Sequence, residues 1–416
     1  MIFLYRLLTI IVLIISPIII ILRLIKKKEH LSRYKEKFCF FSKKRKNGSL
    51  VWFHGSSVGE ILSIIPIVEK LEKNNKINNI LITSSTLSSS YVLSKLKFKK
   101  TIHQFFPIDT NYFSKKFLRY WQPSVAIFIE SEIWPNMISN SKNKSIPLVL
   151  LNGRITKKSF KRWMKIPITA KKIFGSFDIV LPQNNETKSY LKLLGSKNIK
   201  LIGNLKFCDT KSVEKILIDK KLKKNFDLRK VWCAASTHKS EETICAIVHQ
   251  KLKEKYKKIL TIIIPRHVHR VDEIKNELKS LDLKIQLHSK NTKLNQNTDI
   301  YIVDTYGDTK KFFKNCKTVF LGGSLIEHGG QNPIEAARLG CKIIHGPHID
   351  NFREVYKLLN KNKISYKIKD ENQLFKLIDY SLIKKINSYK SIEKLDNIGI
   401  KILNQTYNEL KKTIRF

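Results

Sequence analysis

The stretch Phe320–Phe352 reads FLGGSLIEHGGQNPIEAARLGCKIIHGPHIDNF. An apolar run stops at Gly322-Gly323-Ser324, and a second glycine pair, Gly329-Gly330, leads into Asn332-Pro333-Ile334-Glu335. We expect Asn332 to be a helix N-cap, with proline at the first helical position and Glu335 completing a capping box. Glycine loops beside a capped helix start favour an anion site, because unpaired N–H groups and the positive end of the helix dipole face the loop. The pattern predicts the phosphate pocket of a sugar-nucleotide enzyme.

Short apolar runs alternate with helical patterns, such as Ile61–Leu71, on both sides of this stretch. The predicted strands are Leu50–Phe53, Ile80–Thr83, Val125–Ile129, Leu148–Leu151, Ile179–Leu181, Lys200–Ile202, Val231–Ala234, Leu260–Ile264, Tyr301–Val303, Val319–Leu321 and Lys342–Ile344. This alternation is typical of parallel sheets with crossover helices. We predict an α/β protein of the GT-B type, with two doubly wound, Rossmann-like domains and substrates bound in a cleft at the carboxyl ends of both sheets.

Three segments follow from this reading. We predict a membrane anchor over residues 1–25, an acceptor-binding domain over 26–215 and a nucleotide-sugar-binding domain over 216–416. The polar, lysine-rich stretch Cys208–Asp227 is the predicted linker, and a helical pattern from about Ser381 to Phe416 could pack back on the first domain.

The N-terminal segment predicts attachment to a membrane. Leu7–Leu22 is apolar apart from two hydroxyl residues and a proline, and it is slightly shorter than the ~17–25 residues of a usual spanning helix. Lys26-Lys27-Lys28 follows in place of a signal-peptide cleavage site, so we expect an uncleaved anchor. These lysines predict that the remainder of the chain lies on the cytoplasmic side of the membrane. The pattern leaves open whether the helix spans the bilayer or lies in one leaflet.

The net charge and the spacing of the cysteines argue against some classes of protein. The formal net charge is +45, but lysines outnumber arginines about five to one, whereas nucleic-acid readers favour arginine. We therefore expect no nucleic-acid partner, and we attribute the charge to solvated faces and to attraction toward an anionic membrane or a phosphorylated substrate. The six scattered cysteines contain no CxxC pair, which fits a reduced compartment and argues against zinc.

Candidate catalytic residues follow the strands of the first half. Glu60 ends the turn His54-Gly55-Ser56-Ser57-Val58-Gly59-Glu60, where it could be a general base or, with Ser57, the capping box of its own helix. Glu130 and Glu132 follow the next central strand, and we expect only one of these carboxylates to reach the cleft. Two interpretations without a catalytic role also remain open. Glu132 could cap a helix, and Arg154, which follows the next predicted strand, could be an ordinary surface charge. Lys206, in the last loop of this half, is distinguished only by its position.

Further candidates follow the strands of the second half. Ala234–His238 opens a helix that has Glu241 and Glu242 in its early turns, another place for an anion. Pro265-Arg266-His267 and Tyr306-Gly307-Asp308 each follow a predicted strand, and Arg266 could bind a phosphate through its planar fork. We expect metal-independent chemistry, because the likely sites contain no DxD pattern and the histidine pairs have no carboxylate at ligand spacing.

The order of these motifs resembles the 3-deoxy-D-manno-octulosonic acid (Kdo) transferase family of lipopolysaccharide biosynthesis. The shared motifs are HGSSVGE, ESEIWPN, NGR, GNLKF, AASTH, PRH, the GGSL stretch with its second glycine pair and NPIE, and GPH followed by NF. The resemblance implies an inverting glycosyltransferase that moves Kdo from CMP-Kdo to the lipid A precursor (lipid IVA), with no cofactor beyond this donor substrate. It covers the chain from the anchor to at least Phe352.

The resemblance also implies roles for single residues. Glu60 matches the family's general base, and Glu130 and Lys206 match positions that stabilise the transition state. The implied CMP-binding residues are Pro265, Arg266, His267, Tyr306, Gly307, Asp308, Asn332, Pro333, Ile334 and Glu335. Two alternatives remain from the residues themselves: a membrane-anchored GT-B transferase that uses a UDP-sugar and a lipid acceptor, and a membrane-tethered protein that binds polyanions.

Overall fold

The computed structural model describes residues 2–208, 218–289, 294–384 and 388–414, with side chains from 388 to 391 left aside. The chain divides into two compact units: Met1–Asp209 with Ile398–Phe416, and Thr210–Asn397. The boundary that the sequence predicts, at residue 215, lies outside the described residues. The C-terminal segment Ile398–Phe416 belongs to the first unit, where Nζ of Lys200 lies 2.6 Å from Oε2 of Glu409.

The first unit is built on a six-stranded sheet. Its strands are β1 (Leu50–His54), β2 (Asn79–Ser84), β3 (Thr101–Phe105), β4 (Val125–Ile129), β5 (Leu148–Gly153) and β6 (Ile179–Pro182). All pairs are parallel and the order is β3-β2-β1-β4-β5-β6, the doubly wound arrangement. The central strands are buried on both faces, which is why they appear in the sequence as continuous apolar runs.

Helices cover this sheet. They are α1 (Ile2–Ile25), α2 (Val58–Glu72), α3 (Leu87–Ser94), α4 (Asn111–Trp121), α5 (Pro135–Asn143), α6 (Lys157–Met164), α7 (Pro167–Phe174) and α8 (Asn185–Leu193). Trp52 and Phe128 in the sheet and Phe117 and Trp121 in α4 belong to one buried hydrophobic core. Among the described residues, α1 is long and apolar enough to cross a membrane, judged by length and composition.

The second unit is built on a seven-stranded sheet. Its strands are β7 (Lys230–Thr237), β8 (Ile259–Pro265), β9 (Ile285–Leu287), β10 (Ile300–Ile302), β11 (Thr318–Leu321), β12 (Lys342–His345) and β13 (Ser365–Lys367). They are parallel, in the order β13-β12-β11-β7-β8-β10-β9. Its helices are α9 (Lys220–Asp227), α10 (Glu241–Lys255), α11 (Val271–Leu278), α12 (Thr309–Asn315), α13 (Ile334–Arg338), α14 (Arg353–Lys361) and α15 (Glu371–Ile383). The last helix, α16 (Ser388–Ile414), belongs to the first unit from Ile398 onward.

The structure corrects several predicted elements. Lys200–Ile202 is not a strand: only an isolated bridge joins Val180 to Ile199, and the chain then turns at Gly203, whose φ is +125°. The predicted linker contains a helix, Lys220–Asp227, whose N-cap Asp219 accepts hydrogen bonds from two backbone N–H groups. Three strands were not predicted, β3, β9 and β13, because they are short or polar edge strands without a continuous apolar run.

The described cysteines are all buried, and they form no disulfide bond with one another. Cys39 and Cys208 lie in the first unit, and Cys233, Cys245, Cys316 and Cys341 lie in the second. Burial raises the pKa of the Cys39 thiol to about 12, so this side chain behaves as a small apolar group rather than a nucleophile.

Candidate active site

Glu60 lies in the first turn of α2, directly after β1. Its Oε2 accepts a hydrogen bond from the backbone N–H of Ser56 at 2.6 Å, and the hydroxyl of Ser57 accepts one from the N–H of Glu60 at 3.4 Å. The capping box predicted from the sequence is therefore present. The glycine in the turn is needed for close packing, because a Cβ at Gly55 would lie 3.2 Å from Cβ of Glu60.

Besides its role in the capping box, Glu60 has a carboxyl group with a shifted pKa. Partial burial, followed by the negative charge of Glu132 and more weakly that of Glu130, raises the pKa of the Glu60 carboxyl to about 7. The backbone hydrogen bond from Ser56 opposes this rise without cancelling it. A carboxylate with a pKa near neutrality is well matched to accept a proton from a hydroxyl group, so the two readings of the sequence are compatible.

Glu130 and Lys206 form a direct ion pair. Glu130 follows β4 with a φ of +53°, a left-handed backbone that aims its buried carboxylate at the loop after β6. Nζ of Lys206 lies 2.7 Å from its Oε1. Asn152 joins the two segments: its amide N–H donates to Glu130 at 3.4 Å, and its Oδ1 accepts from the N–H of Leu205 at 3.1 Å. The structure thus pairs two residues that lie far apart in the sequence.

Glu132 also lies near Glu60, and its charge is the larger of the two carboxylate charges that raise the Glu60 pKa. That only one carboxylate of the motif reaches the cleft stays a prediction. Its Oε2 lies 3.2 Å from Nε2 of His54 and accepts a hydrogen bond from the indole N–H of Trp134 at 2.8 Å. It is therefore not the helix cap that the sequence left open. In the tight turn after β4 the N–H of Glu132 donates to the carbonyl oxygen of Ile129 at 3.1 Å. Because β1 and β4 are neighbours in the sheet, this turn brings both carboxylates near Glu60.

His54 is a residue of this site that the sequence reasoning did not single out. It is fully buried at the end of β1, and its ring stacks on Phe106 with centroids 3.7 Å apart. Its Nδ1 lies 3.0 Å from the hydroxyl of Thr83, and its Nε2 faces Glu132. Its position directly before the glycine turn is the signal that could have found it.

Arg154 is partly buried rather than a plain surface charge. Its backbone N–H donates to the carbonyl oxygen of Glu130 at 3.1 Å. Within the described part of the chain, its guanidinium has no hydrogen-bond or ion-pair partner.

In the second unit, the first glycine loop binds an anion that belongs to the protein itself. The buried carboxylate of Glu241 accepts hydrogen bonds from the N–H groups of Gly323 at 2.7 Å, Ser324 at 3.1 Å and Leu325 at 3.0 Å. It also accepts one from the N–H of His238 at 3.0 Å. The prediction that these N–H groups are unpaired is therefore wrong, because the acidic side chain at the start of α10 occupies them.

The second glycine pair and the helix after it also differ from the prediction. Helix α13 begins at Ile334, one residue later than expected, so Pro333 is the N-cap and there is no side-chain cap. The amide oxygen of Asn332 still accepts from the N–H of Ile334 at 3.2 Å. Glu335 does not complete a capping box; its carboxylate lies 3.4 Å from Nζ of Lys310.

Four basic side chains surround His238. The His328 and His238 ring centroids are 4.1 Å apart, those of His267 and His238 are 5.8 Å apart, and Arg266 and Arg270 act on His238 through their charge. Burial first, and then these neighbours, lower the pKa of His238 to about 4. The sequence prediction included Arg266 and His267, which are exposed here, but missed His238 and His328 as their partners.

The third loop of the second unit holds Tyr306, Gly307 and Asp308. The Tyr306 side chain is 79% exposed, and Gly307 has a φ of +90° with open space around its Cα. Asp308 accepts a hydrogen bond from Thr305 at 2.6 Å and pairs with Lys311 at 2.7 Å, and these contacts lower the pKa of its carboxyl. Asp308 is thus held by its own loop, whereas Tyr306 is exposed.

The described residues contain no group of three or more histidine, cysteine, aspartate or glutamate side chains arranged to hold a metal ion. The independence from metal that the sequence predicts stays a prediction, which chelation experiments can address.

Comparison with known proteins identifies the family. The profile described as 3-deoxy-D-manno-octulosonic-acid transferase (kdotransferase) matches residues 32–209. A 3-deoxy-D-manno-octulosonic acid transferase of Rickettsia bellii is 34% identical over 382 residues, covering 91% of this chain and 90% of the relative. The chain belongs to the Kdo transferase family. A transferase of the same description from Rickettsia prowazekii is also 34% identical, over 88% of this chain and 80% of its own length.

Solved structures support the fold. A glycosyltransferase from Rickettsia africae matches with a TM-score of 0.57 and 13% identity, covering 89% of this chain and 99% of that one. The family and the fold together confirm a GT-B glycosyltransferase, as the motifs and the alternation of strands and helices predict. They also confirm the resemblance, and with it Kdo transfer as the activity of this Kdo transferase family member.

Proposed function

We propose that this Kdo transferase family member moves Kdo from CMP-Kdo to a lipid A precursor in lipopolysaccharide assembly, with inversion and with Glu60 as the general base. The observation that carries the proposal is the carboxyl of Glu60, whose pKa rises to about 7 beside Glu132 and Glu130. An acceptor hydroxyl is a weak nucleophile, and a base with a pKa near the working pH removes its proton most effectively.

The proposed step is a single displacement. The acceptor oxygen forms a bond to the anomeric carbon of Kdo as the bond from that carbon to the CMP phosphate breaks, and CMP leaves with the electron pair. The acceptor proton goes to the carboxylate of Glu60. Glu130 would favour the positive charge that develops on the sugar, as carboxylates do in glycoside chemistry, and Lys206, 2.7 Å from Glu130, would hold it in place.

The donor side is proposed to use exposed loops of the second unit. Arg266 is an exposed cation and His267 an exposed imidazole near His238, and Tyr306 and Gly307 lie on an exposed loop. Beyond the second glycine pair, the N–H groups of Gln331 and Asn332 have no acceptor among the described residues and could receive phosphate oxygens. Asp308, Pro333, Ile334 and Glu335 complete the proposed CMP site, with Glu335 on ribose hydroxyls.

We further propose that the enzyme works on the cytoplasmic face of the inner membrane and needs no metal or cofactor. The support is the apolar helix α1 followed by three lysines, together with a lipid acceptor. Adding a chelator to the transfer reaction should leave its rate unchanged, and a loss of activity that Mg²⁺ restores would contradict metal independence.

The decisive experiment is a transfer assay with the full-length protein in membranes. We expect the native chain to transfer Kdo from CMP-Kdo to a tetraacylated lipid A precursor, and Glu60→Gln to lower kcat by about 10²–10⁴-fold. Ser57→Ala is the matched control: it removes the cap acceptor from the same turn and keeps the carboxylate, so transfer should remain within a few-fold. A UDP-sugar accepted in place of CMP-Kdo, or full activity of Glu60→Gln, would sink the proposal.

A further inference from the structure

One face of helix α1 packs against the remainder of the first unit from Ile2 to Ile20. The positions that face the unit recur every three or four residues and include Ile2, Tyr5, Thr9, Leu13, Ser16 and Ile20. Ile2 and Leu13 pack against the hydrophobic core that contains Trp52 and Phe128. Small hydroxyl residues at the buried positions 9 and 16 let the helix lie close to the unit.

The N-terminal end of α1 is tied to two loops of the first sheet. The phenol of Tyr5 donates a hydrogen bond to Oδ2 of Asp109 at 2.9 Å, and Nε of Arg6 donates to Oδ1 of Asn136 at 3.3 Å. The same carboxylate of Asp109 accepts hydrogen bonds from the N–H groups of Asn136 and Met137, the first turn of α5. This end of the helix is therefore joined to the ESEIWPN motif.

The C-terminal end of α1 is tied as well. Arg23 and Lys37 each place a nitrogen 2.6 Å from Oε1 of Glu29, whose side chain is 1% exposed. Nζ of Lys37 also donates to the carbonyl oxygen of Ser85, directly after β2. Both ends of α1 are thus fastened to one side of the first unit.

A helix fastened at both ends cannot cross a bilayer without taking its partners along. The 24 residues of α1 extend over about 36 Å, which exceeds the ~30 Å hydrocarbon core. If α1 spanned, buried polar groups such as Asp109, Asn136 and Glu29 would enter the hydrocarbon together with the rim of a soluble sheet. Non-helical backbone and charged groups at that depth are strongly disfavoured.

The opposite face of α1 matches the interior of one leaflet. Leu4, Ile11, Ile18 and Ile25, spaced by seven residues, are 47%, 49%, 62% and 72% exposed. The exposed Lys26-Lys27-Lys28 follows at once, and it would attract anionic headgroups but repel the same lysines of a second copy. This charge favours a lipid surface over self-association as the partner of the apolar face.

We propose that α1 is an in-plane anchor that lies in the cytoplasmic leaflet and does not cross the membrane. Asp109 and Asn136, which bind α1 directly, and Ser85, which is linked to its end through Lys37 and Glu29, follow β3, β4 and β2. They lie at the same carboxyl edge from which Glu60 follows β1. The anchor therefore holds that edge at the lipid surface. The biological use of this arrangement rests on the proposed function, because a lipid acceptor would present its headgroup hydroxyl at that depth. The geometry of the anchor does not depend on the proposed function.

The test is a depth measurement on the full-length protein in vesicles of phosphatidylcholine and phosphatidylglycerol. Four variants, Leu4→Cys, Ile11→Cys, Ile18→Cys and Ile25→Cys, carry a fluorophore on the new thiol, since the native thiols are buried. Lipids brominated near the headgroup or near the chain ends quench it. We expect the four labels to be quenched alike, and more by the shallow bromines than by the deep ones.

Two results would overturn the proposal. The helix spans the membrane if the labels at Ile11 and Ile18 are quenched mainly by deep bromines and an impermeant quencher reaches the label at Leu4 from the opposite side of the vesicle. Absent quenching with cross-linking between Leu4→Cys chains means that a second copy covers the face. Phe3→Cys treated with an impermeant maleimide in sealed vesicles reports the same topology independently. Kdo transfer is measured on the same samples, so that the anchor and the proposed function are tested separately. If all four labels lie at the same shallow depth but no Kdo is transferred, the result contradicts the proposed function and not the in-plane anchor.

Discussion

Glu60 and Glu241 stand at equivalent places in the two units, yet the structure uses them in opposite ways. Each lies in the first turn of the helix that follows the first strand of its sheet. Glu60 accepts hydrogen bonds from two N–H groups, is partly exposed and has two further carboxylates nearby. Glu241 is fully buried and accepts hydrogen bonds from four N–H groups. A carboxylate at a helix start can take part in catalysis only where backbone N–H groups do not occupy all of its hydrogen-bond acceptor positions.

The largest effect on stability should come from Glu241→Ala. The variant leaves four buried N–H groups without an acceptor, and we expect the free energy of unfolding to fall by roughly 4 kcal/mol or more. Chemical denaturation of the full chain measures this value. Glu254→Ala, an exposed glutamate on the same helix α10, is the control and should change it by less than about 0.5 kcal/mol. A small loss for Glu241→Ala would show that the glycine loop does not depend on this carboxylate.

Glu60→Gln should produce the reverse pattern. The amide keeps a hydrogen-bond acceptor for the cap but cannot take a proton, so the free energy of unfolding should change by no more than about 1 kcal/mol. The same denaturation experiment measures this change. If Glu60→Gln destabilised the chain as much as Glu241→Ala, the contrast between the two glutamates would fail.

The Glu130–Lys206 pair should show coupling of intermediate size. The Glu130 side chain is 6% exposed and the Lys206 side chain 26%, so removal of either partner leaves a poorly solvated charge. A double-mutant cycle with Glu130→Gln and Lys206→Met should give a coupling energy of about 1–3 kcal/mol in kcat/KM. For the control, the exposed pair Lys200–Glu409, a cycle in the free energy of unfolding should stay below about 1 kcal/mol. Additive effects at Glu130 and Lys206 would argue against a functional pair.

The smallest effect should be a shift in the pH dependence of transfer. Because the pKa of Glu60 is raised to about 7, kcat should rise with pH and level off above about 7, where the base is deprotonated. Glu132→Gln removes the larger of the two carboxylate charges that raise the Glu60 pKa. The rising limb of the curve of kcat against pH should therefore move to lower pH. An unmoved limb in this variant would mean that another group titrates. The same raised pKa implies that the contribution of Glu60 to folding stability is present at low pH and lost as the pH rises through about 7.

Much of the fold could be predicted because buried parallel strands are apolar along their whole length. Val125–Ile129 has the bounds that the sequence predicts, and most other predicted strands differ by one to three residues. The errors fall at sheet edges, where one side of the strand is unpaired and polar residues such as His103 and Gln104 occur. A local pattern cannot distinguish such strands from loops.

The site was predictable in part for a related reason. Residues at the carboxyl ends of strands in one parallel sheet must meet at one edge, so Glu60 and Glu130 could be brought together from the sequence. The contacts of Asn152 and His54 could not, since they depend on a left-handed backbone at Asn152 and on the register of β1 against β2.

The sequence by itself determined the family, the two parallel sheets and the positions of the acidic motifs, because motif order and apolar runs are local properties of the chain. Only the tertiary structure decided which glutamate keeps a raised pKa, which one fills the glycine loop at Gly323–Leu325, and how α1 lies against the first unit. These outcomes depend on burial and on the number of N–H donors that distant segments bring to one carboxylate. No spacing along the chain records that number, so Phe320–Phe352 predicted an open anion site where the fold places Glu241.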